Sequence, residues 1–266
     1  MISSKLTVQA LKWLKIQDID YYCSYSQQHK SAKPKILNSE LFDFQNKFKD
    51  LPVQQNNNES DIVSSARKIA EQANSIDELK NSVEVFEGCS LKHIAKNTVF
   101  CDGVKNAPLM LIGEAPGATE DKMGIPFCGE SGQLLDNMMK SIGVFRNKNA
   151  YITNTVFWRP PANRPPTSQE IDICRPFVEK HIALAIPKLI ILVGNTAATS
   201  LLGKNAGITK IRKEYYSYSN QYLSNPIPVI AIFHPAYLLR QPLQKKTMWY
   251  DLLRIKQFIE DNQIVI

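Results

Sequence analysis

The segment Leu109-Met-Leu-Ile-Gly-Glu-Ala-Pro-Gly117 is the clearest indication of the fold, because its pattern predicts a buried strand that runs directly into a glycine- and proline-rich turn. Similar short apolar strands follow at 151–154, 189–193 and 229–233. Helical patterns alternate with them at 131–142, 167–185, 195–202 and 247–262. Apolar strands that alternate with helices form parallel sheets covered on both faces. We therefore predict an α/β fold with three α/β/α layers and a central four-stranded parallel sheet.

The composition is that of an ordinary globular protein, with 44% hydrophobic and 21% charged residues in 266. No apolar run approaches the roughly 18 residues of a membrane span, and Met1-Ile-Ser-Ser-Lys5 lacks the layout of a secretory signal. We expect a cytoplasmic monomer without a membrane partner. The cysteines are odd in number and scattered, which argues against a disulfide scaffold or a zinc finger: Cys23, Cys89, Cys101, Cys128 and Cys174.

The first 74 residues differ in texture from the rest of the chain. They contain an amphipathic helical pattern at 5–17, a polar low-complexity run at 54–58 and helical texture at 61–73. Ser75-Ile-Asp-Glu78 is a capping box, which marks the start of a helix. We therefore predict a helical and partly disordered N-terminal extension over residues 1–74, followed by one compact domain over residues 75–266.

The net charge of +7 is concentrated near the C-terminus. Nine basic and two acidic residues lie between Lys204 and Lys256, interleaved with tyrosine and tryptophan. Basic residues mixed with aromatic ones are typical of a surface that binds phosphates and stacks bases. A solvated lysine-rich face is the alternative. The candidate DNA contacts in this part of the chain are Lys210, Arg212, Lys245 and Lys246.

Three segments with polar or glycine-rich character follow predicted strands: Gly113–Gly117, Asn154 and His234. Ligands of parallel sheets bind at the carboxyl ends of the strands, so we expect these segments to meet in one crevice. There, an asparagine amide can read a pyrimidine edge, and a histidine can donate to an oxygen that gains negative charge. Phe127 lies in a loop where an aromatic ring can act as a platform. Taken singly, the asparagine and the histidine are better explained by a turn and by a structural role.

Several ordered blocks of sequence strengthen this interpretation. They are Gly113-Glu-Ala-Pro-Gly117, Glu120-Asp121, Gly124-Ile-Pro-Phe127-Cys-Gly129, Gly132-Gln-Leu-Leu135, Tyr151-Ile-Thr-Asn154, Arg159-Pro-Pro-Ala-Asn-Arg164 and His234-Pro-Ala-Tyr-Leu-Leu-Arg240. Together they resemble the family 4 uracil-DNA glycosylases across residues 83–262. The resemblance implies a DNA repair enzyme that flips deoxyuridine out of DNA, hydrolyses its N-glycosidic bond and leaves an abasic site.

The resemblance also implies roles for individual residues. Phe127 would stack on uracil, Asn154 would read its edge, and His234 would act on the O2 side. Glu114 would hold water or stabilise positive charge at C1′, and Glu120 would crowd C5 against thymine. Further residues are implied to bind the base (Gly113 and Ala115) or to bind and wedge the DNA (Arg159, Arg164, Tyr237, Leu238 and Arg240).

Family 4 members usually hold a 4Fe-4S cluster on four cysteines, and here those positions read Phe86, Cys89, Trp158 and Cys174. Two thiolates alone do not hold such a cluster, and neither Cys101 nor Cys128 stands at a ligand position. We therefore predict no cofactor and no metal, with the two aromatic side chains filling the vacated space.

Three alternatives stay open at this point. The chain can be a DNA-binding member of the fold with reduced catalysis, or a glycosylase with a broader range of damaged bases. A nucleotide hydrolase or transferase is the third, although the sequence has neither a phosphate loop nor clustered aspartates for a metal.

Overall fold

A computed structural model describes residues 61–204 and 206–266. Within this part of the chain, six strands form one sheet. They are β1 (Asp102–Gly103), β2 (Leu109–Gly113), β3 (Ala150–Asn154), β4 (Leu189–Val193), β5 (Tyr215–Tyr218) and β6 (Ile227–Ile232). The predicted helix at 5–17, the polar run at 54–58 and Cys23 lie outside the described residues.

The sheet has the order β1-β3-β2-β4-β6-β5. Its four central strands are parallel, as predicted, and both edge strands pair antiparallel. The edge strands are absent from the prediction because neither is apolar enough to stand out. β1 has only two residues, and β5 lies within the basic and aromatic stretch.

Nine helices accompany the sheet in the described part of the chain. They are α1 (Asp61–Gln72), α2 (Ile76–Val85), α3 (Ala118–Met123), α4 (Glu130–Lys140), α5 (Ser168–Ala185), α6 (Asn195–Leu202), α7 (Ile208–Ile211), α8 (Pro235–Arg240) and α9 (Gln244–Asp261). A capping box begins α5, because the Thr167 hydroxyl accepts from the Glu170 amide and the Glu170 carboxylate accepts from the Thr167 amide.

Both faces of the sheet are buried. In β2, Met110 and Ile112 belong to the same apolar cluster as residues of α1, α2, α5 and α6. The intervening Leu109 and Leu111 point to the opposite face and are equally buried. Helices therefore cover both faces, which confirms the predicted α/β class.

Helix α1 precedes the predicted start of the domain at residue 75, yet it packs against α5. Its Ala66 and Ala70 are fully buried in the main cluster. The boundary between an extension over 1–74 and a domain over 75–266 stays a prediction. No helix within 61–204 or 206–266 is long and apolar enough to cross a membrane.

Candidate active site

The carboxyl ends of the parallel strands meet as predicted. Gly113, the last residue of β2, pairs in register with Asn154, the last residue of β3. Gly194 follows β4, and its amide donates to the Ile232 carbonyl at the end of β6 (2.9 Å). His234 comes two residues later. The parallel strands β3 and β6, with β2 and β4 between them, thus place the predicted asparagine and histidine at the same edge of the sheet.

Gly113 is the point at which two predicted site residues approach each other. A Cβ atom built on it would lie 2.4 Å from Cζ of Phe127 and 2.5 Å from Oδ1 of Asn154. Any larger residue would push these groups away. Glycine is required here so that the aromatic ring and the amide oxygen can both lie against the end of β2.

Phe127 has an unusual backbone and a fixed ring. Its φ of +51° is in the left-handed region, which residues with a Cβ atom seldom adopt. The side chain is buried, and its ring centroid lies 5.8 Å from that of His234, with the planes inclined by 33°. The Phe127 ring therefore lies close to both the Asn154 amide and the His234 imidazole at the strand ends.

His234 caps α8 and has a defined tautomer. Its Nδ1 accepts a hydrogen bond from the backbone amide of Ala236 (3.1 Å), so we assign the proton of the neutral ring to Nε2. Burial and, to a smaller extent, the Arg240 cation lower the pKa of His234 to about 4, and Glu120 acts in the opposite direction. The side chain is therefore a neutral hydrogen-bond donor at physiological pH.

The three acids near the end of β2 have different surroundings. Glu114 accepts a hydrogen bond from the Thr196 hydroxyl of α6, a partner that the sequence does not reveal. Glu120 accepts from the amides of Cys128 and Gly129 (3.0 and 2.8 Å) and so fixes the loop beside Phe127. Asp121 follows Glu120 directly in the sequence, but its side chain is buried.

The carboxylate of Asp121 accepts from the amides of Lys96 and Asn97 (2.8 and 3.3 Å). It therefore holds the backbone at Lys96 and Asn97.

Comparisons with known proteins agree with this geometry. The family model of the Uracil DNA glycosylase superfamily matches residues 100–253. The chain belongs to this superfamily. It is 35% identical to the Type-4 uracil-DNA glycosylase of Sulfurisphaera tokodaii over 69% of this chain and 84% of that protein. The same name belongs to relatives from Thermotoga maritima (35%; 67% and 91% covered) and Saccharolobus solfataricus (33%; 72% and 89% covered). The predicted family resemblance is confirmed.

In this glycosylase-family chain, the predicted wedge needs one correction. Leu238 is fully buried, with 0% of its side chain exposed, so it cannot enter DNA. Its neighbour Leu239 is only half-buried, as is Tyr237, whose ring packs 5.1 Å from that of Phe233. Arg240 is exposed. Leu239 is thus the leucine of this helix that faces outward.

Arg212 is a second correction among the predicted DNA contacts. Its guanidinium pairs with the buried Asp251 at 2.5 Å and lies 4.9 Å from the centroid of the Phe233 ring. Only 14% of its side chain is exposed. Arg212 is therefore not a surface cation, and its ion pair links the end of α7 to α9.

The other predicted DNA contacts differ in exposure. Lys210 and Lys246 are exposed, whereas Lys245 is buried. Arg159 donates to the Asn163 side chain (2.7 Å), and Arg164 forms two hydrogen bonds with Glu170 (2.8 and 2.6 Å). Ala115 is half-buried at the turn after β2.

Of the four positions that correspond to cluster ligands, two hold aromatic side chains that pack in the core. Phe86 packs edge-to-face on Phe177, with centroids 5.0 Å apart, and Gly88 leaves room for its ring. Trp158 is buried and donates to the Thr98 hydroxyl (3.0 Å).

The remaining two ligand positions hold buried thiols. Cys89 and Cys174 are hydrogen-bonded to each other, which together with burial raises the pKa of Cys174. No group of three potential metal ligands occurs among residues 61–204 and 206–266. Cys101 lies beside Tyr151, and Cys128 lies beside Glu120. This donor set does not fit an iron–sulfur cluster.

Proposed function

We propose that this protein removes uracil from DNA by hydrolysing the N-glycosidic bond of an extruded deoxyuridine, leaving an abasic site. The observation that carries the proposal is the gathering of Phe127, Asn154 and His234 around one space at the carboxyl ends of the strands. A base in the duplex stack cannot reach such a space, so the nucleotide must be flipped out.

Recognition of the base rests on two side chains. The ring of Phe127 offers a face on which a pyrimidine can stack. The Asn154 amide can accept from N3–H and donate to O4, a pattern that uracil presents and cytosine does not. Glu120, held by two backbone amides, fixes the loop on which C5 would rest. A methyl group at C5 would meet this rigid loop.

Bond cleavage requires stabilisation of the negative charge that develops on uracil and of the positive charge that develops on the sugar. As the bond between C1′ and N1 breaks, its electron pair leaves with uracil and the sugar becomes an oxocarbenium ion. The neutral imidazole of His234 can donate from Nε2 to the O2 oxygen, where negative charge develops. Because its pKa is about 4, it donates as a fixed dipole and does not transfer a proton.

Glu114 serves the opposite charge in this proposal. One oxygen of its carboxylate is held by Thr196, which leaves the other for a water molecule or for the positive sugar. Water then forms the new bond to C1′ and gives its proton to the Glu114 carboxylate, which passes it to solvent, while the released uracil anion takes up a proton from solvent. The products are free uracil and an abasic site.

Binding of DNA is proposed to use Lys210, Lys246 and Arg240 for phosphates, and Leu239 as the apolar wedge at the vacated stack. We further propose that the enzyme works without an iron–sulfur cluster, because Phe86 and Trp158 occupy two of the four ligand positions.

An oligonucleotide with a single uracil tests the reaction. Incubation with the protein in EDTA, followed by alkali, should cut the strand at uracil and leave the matched thymine strand intact. Asn154→Ala should lower the cutting rate by about 100-fold, within the range typical for a fixed polar contact to the reacting group. Binding without cutting would indicate an inactive DNA-binding protein, and cutting that requires Mg²⁺ would indicate a nuclease.

The same assay with hypoxanthine and mismatched thymine defines the range of bases. Iron analysis of the purified protein tests the absence of a cluster. We expect no stoichiometric iron and no visible absorbance of an iron–sulfur centre. Four iron atoms per chain would refute this part of the proposal.

A further inference from the structure

Arg146 connects the loop before β3 to the backbone of Phe127. Its Nη1 donates to the carbonyl of Pro126 (2.8 Å), and its Nη2 donates to the carbonyl of Phe127 (2.7 Å). One guanidinium thus holds two successive carbonyl groups. The planar fork of arginine suits such a double contact, whereas a lysine ammonium would offer a single point charge.

The guanidinium is itself fixed by two carboxylates. Asp102 in β1 accepts from Nη1 (2.7 Å), and Asp136 in α4 accepts from Nη2 and Nε (3.1 and 3.3 Å). Only 19% of the Arg146 side chain is exposed. Arg146 therefore fixes the backbone at Pro126 and Phe127 relative to β1 and α4.

The backbone that Arg146 holds is one that needs support. Phe127 has a φ of +51°, which is unfavourable for a residue with a Cβ atom unless the surroundings impose it. Its carbonyl also lies against Gly132, where a Cβ atom would come within 1.8 Å of the oxygen. The Phe127 carbonyl is therefore enclosed between a glycine and a guanidinium.

We propose that Arg146 is a positioning residue for uracil excision, which fixes the backbone at Phe127 so that its ring is in place before the base arrives. The inference rests on the proposed function, but Arg146 does not touch the substrate. A purely structural ion pair would stabilise the fold and have no specific link to the ring. The two roles differ in how the effect of an Arg146 substitution depends on Phe127.

A double-mutant cycle measures that dependence. In single-turnover excision, Arg146→Gln should lower the rate by about 10- to 100-fold, as expected when a reacting group shifts by about 1 Å. In a Phe127→Ala background, the same substitution should have little further effect, because its route to the reaction is already lost. An equal loss in both backgrounds, or no loss in the wild-type background, would overturn the proposal.

Ligand binding provides a readout that a general structural role would not change. Arg146→Gln should weaken inhibition by free uracil, which depends on stacking, and leave the affinity for an abasic-site oligonucleotide unchanged. Equal weakening of both would overturn the proposal. Arg175→Gln is the matched control. Arg175 lies in α5 and, like Arg146, donates to a backbone carbonyl (Ser200) and to a carboxylate (Asp172). Its substitution should leave both quantities unchanged.

Circular dichroism establishes that the variants fold. If Arg146→Gln does not, Arg146→Lys enters the same cycle, because it keeps a cation between the two carboxylates but cannot hold both carbonyls. A wild-type protein that fails to cut uracil-containing DNA would remove the proposed function and this inference together. A wild-type protein that cuts, with Arg146 variants equally active, would remove only this inference.

Discussion

Replacing His234 by asparagine separates the two functions that the structure gives to this side chain. Nδ1 accepts the amide of Ala236 and caps α8, while Nε2 carries the proton that we propose to face uracil O2. Asparagine is among the best N-cap residues, so His234→Asn keeps an acceptor for the helix. It has no atom that reaches the position of Nε2.

The expected magnitudes follow from these contacts. Loss of a donor to a developing oxyanion typically lowers kcat by about 100- to 1000-fold, or about 3–4 kcal/mol in the transition state. His234→Ala loses the same donor and also the cap, which costs about 1 kcal/mol of stability. For a domain of this size, that loss lowers the Tm by about 2–4 °C.

Single-turnover excision and thermal melting test the two functions separately. With enzyme in excess over a uracil-containing oligonucleotide, both variants should be slow by a similar factor, and only His234→Ala should melt early. An excision rate of His234→Asn within tenfold of wild type would refute the assignment of the donor. Equal melting temperatures of the two variants would refute the assignment of the cap.

Three further outcomes are expected. The pKa of His234 is about 4 in the folded state and about 6.5 when unfolded, so the unfolded chain binds more protons between these pH values. The free energy of unfolding should therefore fall by up to about 3 kcal/mol as the pH drops from 6.5 to 4. Denaturant unfolding of His234→Asn should lack this loss, and an unchanged pH dependence would contradict it. Gly113→Ala places a methyl group 2.4 Å from the stacking ring and should slow excision by about 100-fold, whereas Gly207→Ala, whose nearest neighbour is 3.9 Å away, should not. Leu239→Ala should slow excision from double-stranded more than from single-stranded DNA, while Leu238→Ala should cost about 2–5 kcal/mol of stability because it leaves a cavity in the core.

The sheet and the meeting of its strand ends were predictable because they depend on local patterns. Four apolar runs separated by helices indicate parallel strands, and parallel strands bring their carboxyl ends to one edge. Gly113 and Asn154, which end neighbouring strands, lie side by side at that edge. For the same reason, the position of His234 after β6 needed no knowledge of side-chain contacts.

Features that depend on a single distant partner were not predictable. Arg212 appeared as a surface cation because Asp251, which neutralises it, lies 39 residues away. Leu238 and Leu239 are adjacent and chemically identical, and α8 is too short for its buried face to be identified from periodicity.

The support of the stacking ring was equally invisible in the sequence. Arg146 lies 44 residues from Asp102 and 19 from Phe127, and no sequence motif joins them. The positive φ of Phe127 also could not be predicted from the sequence, since residues other than glycine seldom adopt it. Such features result from tertiary packing and were found only in the folded structure.

The packing of Phe86 and Trp158 at two of the cluster-ligand positions bears on what the protein requires from the cell. In the cluster-free state that we propose, this apolar packing is complete when the chain folds and needs no delivery of iron or sulfide. Chelators, which dismantle inorganic centres, would have no metal to remove from it. Repair by this protein should therefore continue during iron starvation, when relatives that rely on a metal centre would lose theirs.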